Sequence, residues 1–417
     1  RRSSAPVVWP HTRRSRSSKR WRSSELSAEN KVSSPRSTQA PVAISPVAGK
    51  ADLEAFIRLP WRLYRDNPYW CPPLLILQRQ LFSPKHNAFF QHADVQLFLA
   101  RRGERVVGRI SAHIDHEHNR YHSERTGFFG FFESEDDPEV AEALLSTAES
   151  WLRERGMGVA RGPMNFSMNG EVGFLLDGFD SPPVIMMPYT HRYYLDLVEG
   201  CGYTKAKDLY AWHWRMQPVP EGAPERMVKE LQGRPEVSVR WAEKRRFRQE
   251  VRTILHLYND AWSQNWGFVP ATDAEAGQMA RELKLLVDPY LVPFVEIDGV
   301  PAGVALAVPN LNEAIHDLNG RLLPLGWLKL LWRLKVRRLK SGRLLLLGVK
   351  KEYRTRRYAG LAYLLCEAVY QGAIAHGYEW GEFSWTLEDN GLINSLITKI
   401  GAHLYKKYRI YEKRLTA

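Results

Sequence analysis

Cysteine is scarce in this sequence, and long apolar runs are absent. The three cysteines lie far apart among 417 residues, at positions 71, 201 and 366. They offer neither the spacing of metal ligands nor a disulfide framework, a pattern typical of the reducing cytoplasm. No apolar run approaches the ~20 residues that a membrane-spanning helix needs. The sequence therefore predicts a cytoplasmic protein that is soluble or touches a membrane only at its surface.

Acidic residues are scarce only in the first 50 residues. That segment holds eleven Lys or Arg against two Glu, a net charge of +9, so the remaining residues carry only +4 of the total of +13. Most of the basic charge is therefore a property of one end of the chain. A nucleic-acid-binding function inferred from the overall charge would rest on the wrong segment, and we expect no nucleic acid partner.

Residues 1–50 form an Arg/Ser/Pro-rich segment without apolar periodicity. Such a composition predicts disorder, because it offers too little apolar surface to bury. Three interpretations stay open for it: an extension without structure, a targeting peptide rich in Arg and Ser, or a basic arm that binds a partner.

The rest of the sequence divides into two halves with the same order of predicted elements. Each half has hairpin strands, a strand that enters a helix, a second strand, a second helix and a final strand. Proline and glycine cluster between the halves at 217–236, which predicts a linker around one short helix. The predicted fold class is therefore α/β, with a mixed sheet in each of two domains, 51–216 and 237–417.

One strand-to-helix junction carries the clearest chemical pattern. The strand predicted at 344–349 leads through a turn of small and basic residues into the helix predicted at 361–376. A helix start of this kind exposes several backbone N–H groups at the positive end of the helix dipole, which favours binding of a phosphate. The small residues and cations of the turn are Ala359, Gly360, Ala362, Arg354, Arg356 and Arg357.

The segment 357–362, Arg-Tyr-Ala-Gly-Leu-Ala, matches the pyrophosphate-binding pattern Arg/Gln-x-x-Gly-x-Gly/Ala of the GNAT superfamily. The chain resembles that superfamily from about residue 343 to 415, including an Asn-led helix at 390–400 and a final strand at 405–414, although the turn is longer than in most members. The resemblance implies acyl-CoA as the acyl donor and no metal. The residues that it assigns to acyl-CoA are Leu347, Gly348, Val349, Arg354, Arg357, Tyr358, Ala359, Gly360, Leu361, Ala362 and Asn390.

In outline, residues 51–417 are similar to large tandem GNAT-like bacterial proteins, a group that includes bacterial ceramide synthases. The similar phrases are 161–165, 186–189 and 405–412. This resemblance implies an N-acyltransferase that acylates an amine, such as a long-chain amine of the sphingoid type. The corresponding turn of the first half, 133–138, is acidic and lacks glycine, so that half is expected to shape the acceptor site. Two alternatives stay open: an aminoacyl- or peptide-modifying transferase, and a non-catalytic sensor of acyl-CoA.

Amide formation from a thioester needs a base for the amine and an acid for the leaving thiolate. Many superfamily members supply the acid from a Tyr that follows the Asn, but Ile397 occupies that position here. Glu171, in a polar loop, and Glu382, on a strand beside the cleft, are the candidate bases. Tyr405 and Tyr408 are the candidate acids. Each candidate also has a purely structural interpretation, either a solvated or capping carboxylate or aromatic packing in a sheet.

Three histidines, His113, His116 and His118, lie close together on one polar segment. No carboxylate–histidine spacing typical of zinc catalysis accompanies them. We therefore expect them at the surface and without a metal ion.

The helix predicted at 325–340 is rich in both cations and large apolar residues. Lys329, Arg333, Arg337 and Lys340 align on one stripe, with two Trp among leucines on the rest. Such a helix can lie on an anionic membrane. It can equally dock on its own protein. The first alternative predicts peripheral contact with the inner membrane.

Overall fold

The structure, a computed structural model, describes residues 40–284 and 286–416. These residues form one large mixed sheet with helices packed on it. The strands are β1 Val42–Pro46, β2 Ala93–Arg102, β3 Arg105–Asp115, β4 Thr126–Ser134, β5 Val159–Gly162, β6 Phe174–Asp177, β7 Thr204–Arg215, β8 Val237–Trp241, β9 Pro293–Ile297, β10 Val300–Pro309, β11 Ser341–Val349, β12 Trp380–Leu387 and β13 His403–Arg414.

Twelve α-helices connect these strands in the described part of the chain. None of them is long and apolar enough to cross a bilayer. The helices are α1 Gly49–Leu63, α2 Leu75–Leu81, α3 His116–His122, α4 Pro138–Glu154, α5 Tyr193–Gly200, α6 Ala223–Gln232, α7 Phe247–Trp262, α8 Asp273–Leu283, α9 Asn312–Ile315, α10 Gly326–Trp332, α11 Leu361–Ala375 and α12 Gly391–Lys399.

Helix α4 shows how local sequence sets these elements. The Asp137 side chain accepts a hydrogen bond from the Glu139 amide, and Pro138 occupies the first turn, where a missing N–H costs nothing. The buried face has apolar residues at helical spacing and packs into the core of the first half. Helix α11 fills the same place in the core of the second half. The apolar residues of α4 are Val140, Ala141, Leu144, Leu145, Ala148 and Leu152.

The order of strands joins the two halves into a single sheet. It runs β1-β2-β3-β4-β5-β13-β7-β12-β11-β10-β9-β8, with β6 paired to β13. Strand β13 ends the second half, yet it lies antiparallel to β5 of the first. Strand β7 ends the first half, yet it lies antiparallel to β12 of the second. The halves therefore exchange their final strands, which pair with each other at the centre of the sheet.

The prediction that residues 1–50 lack structure is wrong for its last part. Residues 42–46 are β1, which pairs with β2 from Val42↔Arg102 to Pro46↔Phe98. Helix α1 follows from Gly49. The partner of β1 lies more than 50 residues away along the chain, so local composition gave no sign of the pairing. The remainder of the predicted tail, 1–39, lies outside the described residues.

The prediction of one basic helix at 325–340 is also wrong in part. Helix α10 covers only Gly326–Trp332, a π-helical turn at Arg333–Arg337 follows, and Arg338 ends it with a φ of 59°. Lys340 therefore lies outside the helix. Lys329 and Arg333 do share one face, and both form ion pairs with Asp317, so their charges are compensated.

Candidate functional site

The parallel strands β11 and β12 pair at one end and separate at the other. Their register runs from Ser341↔Trp380 to Leu344↔Phe383. Beyond this point β11 stays paired with β10, and β12 continues beside β7. A cleft therefore opens between the two strands next to residues 345–349 of β11. On the side of the cleft, the backbone of these residues has no strand partner among the described residues. Such an edge can hydrogen-bond an extended ligand arm.

The turn after β11 presents free backbone amides at the start of α11. The first helical bond that the described residues show here runs from the Leu364 amide to the Gly360 carbonyl, at 2.9 Å. The amides of Gly360, Leu361, Ala362 and Tyr363 precede it, and no side chain caps this helix. Free amides at the positive end of a 15-residue helix fit a pyrophosphate. The predicted coenzyme A site thus has the right donors, and its occupancy stays a prediction.

The three arginines of the turn have different partners. Arg354 closes the turn, because its guanidinium donates to the Val349 carbonyl at 2.8 Å and to the Ala261 carbonyl at 2.6 Å. Arg357 is exposed and pairs with Glu236 at 2.6 Å, which raises the Arg357 pKa. Arg356 is exposed and has no ion-pair partner in the described part of the chain. Arg356 is therefore the cation most available to a phosphate, and Arg354 has a structural role.

Gly360 faces another helix rather than the open side of the turn. A Cβ atom at this position would lie 2.8 Å from Met227 Cβ on α6, so close helix packing requires glycine here. Gly360 can still offer its amide to a ligand. Ala359 is exposed beside it and marks the open side of the turn. A substitution that tests anion binding without disturbing α6 therefore belongs at Ala359.

Asn390 and Ile397 lie on α12, at the other side of the cleft. The Asn390 side chain accepts from the Ile393 amide at 3.4 Å and caps the helix. Ile397 is buried in the core. The position where many superfamily members have a tyrosine therefore points inward here, and an acid must come from another element.

Glu382 and Tyr405 are in direct contact next to the point where β11 and β12 diverge. Glu382 is buried on β12, and the Tyr405 hydroxyl on β13 donates to its Oε2 atom. The Oε1 atom of Glu382 has no hydrogen-bond partner among the described residues. Burial raises the pKa of Glu382, although the nearby Arg343 charge acts in the opposite direction. Burial likewise raises the pKa of Tyr405.

The structure adds a residue that sequence reasoning missed, Arg343 on β11. Arg343 is buried and is the register partner of Glu382. Its Nε donates to Ser384 Oγ at 2.8 Å, and a terminal nitrogen donates to the Ile185 and Met186 carbonyls, both at 2.9 Å. The sequence does contain a sign of its importance, since Arg343 is the only charged residue in an otherwise apolar strand. Burying a charge without partners is costly, so such a residue is expected to have a role.

Glu171 reaches the same arginine from the first half. The Glu171 side chain is exposed to solvent, yet many protein atoms lie around it. Loss of hydration raises the pKa of Glu171. A hydrogen bond from Asn165 at 3.3 Å and the charge of Arg343 lower it in part. The charge of Arg343 therefore acts on the pKa of Glu171 and of Glu382, which belong to opposite halves of the molecule.

Tyr408 and Cys71 complete the surroundings of Glu171. Tyr408 is fully buried with a hydroxyl that lacks a partner among the described residues, and burial raises its pKa. Burial and the Glu171 charge raise the pKa of the Cys71 thiol to about 12. Such a thiol stays protonated at neutral pH and is a poor nucleophile. The four predicted catalytic residues all lie near enough to Arg343 for their charges to affect its pKa, and two of them, Tyr405 and Glu382, are in direct contact.

The prediction that three histidines lie at the surface is wrong for two of them. His116 is exposed, but His113 and His118 are buried. His113 bonds to the Phe166 carbonyl at 2.8 Å, and burial lowers its pKa to about 4. His113 points into the core from β3, and His118 is buried on α3 beside His122 and Glu124, which the polar sequence around them did not reveal. No cluster of His, Cys, Asp or Glu in the described part of the chain is arranged to hold a metal ion.

His213 is a second group that the sequence did not single out. It lies on β7, opposite Glu382 on one side and His403 on the other. Its ring is 5.8 Å from that of Tyr405 and 5.0 Å from that of the exposed His403. In the sequence, a single histidine among Tyr, Trp and Ala on one strand could have drawn attention to this position.

Relatives of this chain align along nearly its whole length, although no protein-family model matches it. It is 46% identical over 382 residues to a protein of Caulobacter vibrioides (strain NA1000 / CB15N) named bacterial ceramide synthase, covering 91% of this chain and 99% of the relative. It is 40% identical over 369 residues to protein YghO of Escherichia coli (strain K12), covering 88% of this chain and 94% of the relative. The similarity therefore includes both halves.

Solved structures share the architecture. A tandem GNAT protein from the clavulanic acid biosynthesis pathway superposes with a TM-score of 0.55 at 12% identity, covering 90% of this chain and 99% of that protein. A GCN5-related glucosamine N-acetyltransferase region of a fungal multi-domain GH3 beta-N-acetylglucosaminidase gives 0.53 at 13% identity, covering 90% of this chain and 38% of that one. At such identities the likeness concerns the fold alone. The predicted fold class, two GNAT-like units in tandem, is confirmed.

Proposed function

The chain belongs to the tandem GNAT family that includes the bacterial ceramide synthase of Caulobacter vibrioides, and on this basis we propose that it is an N-acyltransferase. It transfers an acyl group from acyl-CoA to the amine of a long-chain, sphingoid-type acceptor. The name of the relative supports this acceptor class. A bilayer-resident acceptor also implies that the protein works in the cytoplasm, in contact with the inner membrane.

The direct contact between the buried Glu382 and Tyr405, with the charges of Arg343 and Glu171 nearby, is the observation that supports this proposal most strongly. Glu382 belongs to the half with the free helix amides, and Glu171 belongs to the other half. Arg343 is the register partner of Glu382, next to the point where β11 and β12 diverge, and the charge of Glu171 also affects its pKa. Perturbed carboxylates gathered in a cleft are typical of acid–base catalysis.

The acyl donor fits the cleft and the turn beside it. The amides of residues 360–363 and the exposed Arg356 would hold the pyrophosphate, and the open edge of residues 345–349 would hold the pantetheine arm. The thioester supplies the activated acyl carbon. No residue of the turn is required for the chemical step.

Glu171 is proposed as the base that serves the amine. An ammonium group must lose one proton before attack and a second as the amide forms. Glu171 is open to solvent and therefore accessible to an acceptor, and its raised pKa makes it a stronger base than an ordinary glutamate. In this proposal the first half shapes the acceptor site, which is the role predicted for it from its acidic turn at 133–138 and stays a prediction.

Tyr405 is proposed as the acid that protonates the leaving thiolate. As the carbon–sulfur bond breaks, the sulfur takes up one proton. Tyr405 can give it and recover one from Glu382, whose raised pKa favours the protonated form. Arg343 holds the pair in place through charge and through its bonds to the backbone.

Product analysis tests the proposal. The purified full chain is incubated with a long-chain acyl-CoA and a sphingoid amine, and the amide is quantified by mass spectrometry while free thiol is measured with a thiol reagent. Amide and thiol should appear in equal amounts. A short-chain amine and an aminoacylated or peptide acceptor are the matched alternatives.

The alternatives give distinct results. Turnover with peptide or aminoacyl acceptors, and none with long-chain amines, would move the protein to the peptide-modifying class. Tight binding of acyl-CoA with no turnover on any amine would identify a sensor and refute the catalytic proposal.

A further inference from the structure

The segment before β11 exposes an unusual amount of apolar surface. Leu323 is 78% exposed, and Trp332 and Val336 are 52% and 66% exposed. Large apolar groups gathered on one surface mark an interaction site, whereas scattered ones need no explanation. We define the apolar patch as Leu323, Leu325, Trp327, Leu328, Leu331 and Trp332.

The patch is the outward face of α10. Trp327, Leu328, Leu331 and Trp332 lie one turn apart on one side of the helix. On the opposite side, Lys329 and Arg333 form ion pairs with Asp317. Leu330 and Leu334 pack against the core, so the exposed Trp and Leu side chains are apolar groups beyond those that the helix needs for its own packing.

Positive charge surrounds the patch without compensation. No Asp or Glu occurs between Asp317 and the end of the segment at Lys340. Arg321, Lys335, Arg337 and Arg338 are exposed, and no carboxylate in the described part of the chain pairs with them. The surface therefore combines exposed Trp and Leu with a rim of free cations.

We propose that this surface docks on an anionic lipid bilayer. Trp and Leu favour the headgroup boundary, and the surrounding cations are attracted to anionic headgroups. A second copy of the chain fits less well, because a two-fold contact through the patch would bring the two cationic rims together. The proposal stands on exposed side chains and holds for whatever reaction the cleft performs.

The location of the patch suits delivery of a lipid to the cleft. The segment leads into the first residue of β11, Ser341, while the turn that fits coenzyme A follows the last, Val349. A nine-residue strand spans about 27 Å. Arg343 lies only two residues from the docked end, so a soluble donor can enter at one end of the strand and a bilayer-derived ligand at the other.

Vesicle flotation with the full chain tests the proposal. Partition onto vesicles that contain phosphatidylglycerol should exceed partition onto pure phosphatidylcholine and should weaken in high salt. The Trp327→Ser/Trp332→Ser variant should bind at least about tenfold more weakly. The triple variant Lys335→Gln/Arg337→Gln/Arg338→Gln should lose about a hundredfold on anionic vesicles and little on neutral ones.

Leu392→Ser is the matched control, because Leu392 is 90% exposed on α12, away from the patch. It should bind vesicles like the unchanged chain. Thermal unfolding checks that all variants fold, since every replaced side chain is exposed. Equal partition onto neutral and anionic vesicles, or undiminished binding of the tryptophan variant, would overturn the proposal. So would a dimer in size-exclusion chromatography that the tryptophan variant dissociates.

Discussion

Arg343 and Glu382 are register partners across β11 and β12, one position before the strands separate. Each is buried, and each bonds to a further group: Arg343 to Ser384 and Glu382 to Tyr405. Opposite charges in a region of low dielectric constant influence each other strongly. The geometry of the cleft therefore depends on Arg343 as much as on the carboxylates.

Replacing Arg343 should destabilise the fold and reduce turnover. In Arg343→Met, the Ser384 hydroxyl and the Ile185 and Met186 carbonyls lose a donor. Leaving a buried acceptor without its donor costs about 1–3 kcal/mol for each group, measured as the change in unfolding free energy in urea. Arg356→Met, which removes an exposed arginine, is the control and should stay within about 0.5 kcal/mol. A similarly small change for Arg343→Met would contradict the central role of this side chain.

Replacing Glu171 and replacing Glu382 should change the pH dependence of turnover in different ways. A base acts only when unprotonated, and surrounding protein raises the pKa of both groups above that of an ordinary glutamate. Turnover should therefore fall as the pH drops through that raised pKa. Glu171→Gln should remove this acid limb and lower kcat about 100-fold or more, with unchanged donor affinity.

Glu382→Gln should also lower kcat, since Tyr405 loses its proton source, but the acid limb should persist. Glu379→Gln, at an exposed position just before β12, is the control and should behave like the unchanged chain. If Glu171→Gln and Glu382→Gln both retain near-full activity, protons must move through water or backbone groups.

The sequence predicted what depends on neighbouring residues and missed what depends on distant ones. The strand, turn and helix around residues 344–376 follow from apolar runs and small residues, and they appear as expected. The partners of Arg343 lie 41 to 158 positions away, so nothing local identified it. The same holds for β1 and for Asp317, which forms ion pairs with Lys329 and Arg333 of the basic stripe.

The exposed side of the α11 turn should be the part that binds coenzyme A. Ala359→Glu places a carboxylate where the pyrophosphate is expected, and like charges repel. Affinity for coenzyme A in calorimetry should fall about tenfold or more, whereas the melting temperature should hold, since acidic residues are favourable near a helix start. Ala375→Glu, at the other end of the same helix, should leave the affinity unchanged. Unchanged affinity in Ala359→Glu would place the site elsewhere.

The first strand should matter to stability. A chain that starts at Ala51 lacks β1 and the first turn of α1, including Val42 and Ile44, which pack against the first core. We expect a loss of about 2–4 kcal/mol in unfolding free energy from the missing ladder bonds and apolar burial. A chain that starts at Ala40 is the control and should match the full chain, because the preceding composition predicts no packing. Equal stability of both truncated chains would make β1 dispensable.

The exchange of final strands should prevent either half from folding alone. Without the second half, β5 and β6 lack β13, and without the first half, β12 lacks β7. Each separate half would expose unpaired strand edges at the centre of the sheet, where apolar side chains are buried in the whole molecule. Chains 40–236 and 237–417 should therefore be insoluble or lack a cooperative thermal transition when produced separately. Produced together, they should associate, recover one transition and bind coenzyme A. A cooperative transition in the isolated 237–417 chain, with the coenzyme A affinity of the full chain, would show that the second half is a self-sufficient domain.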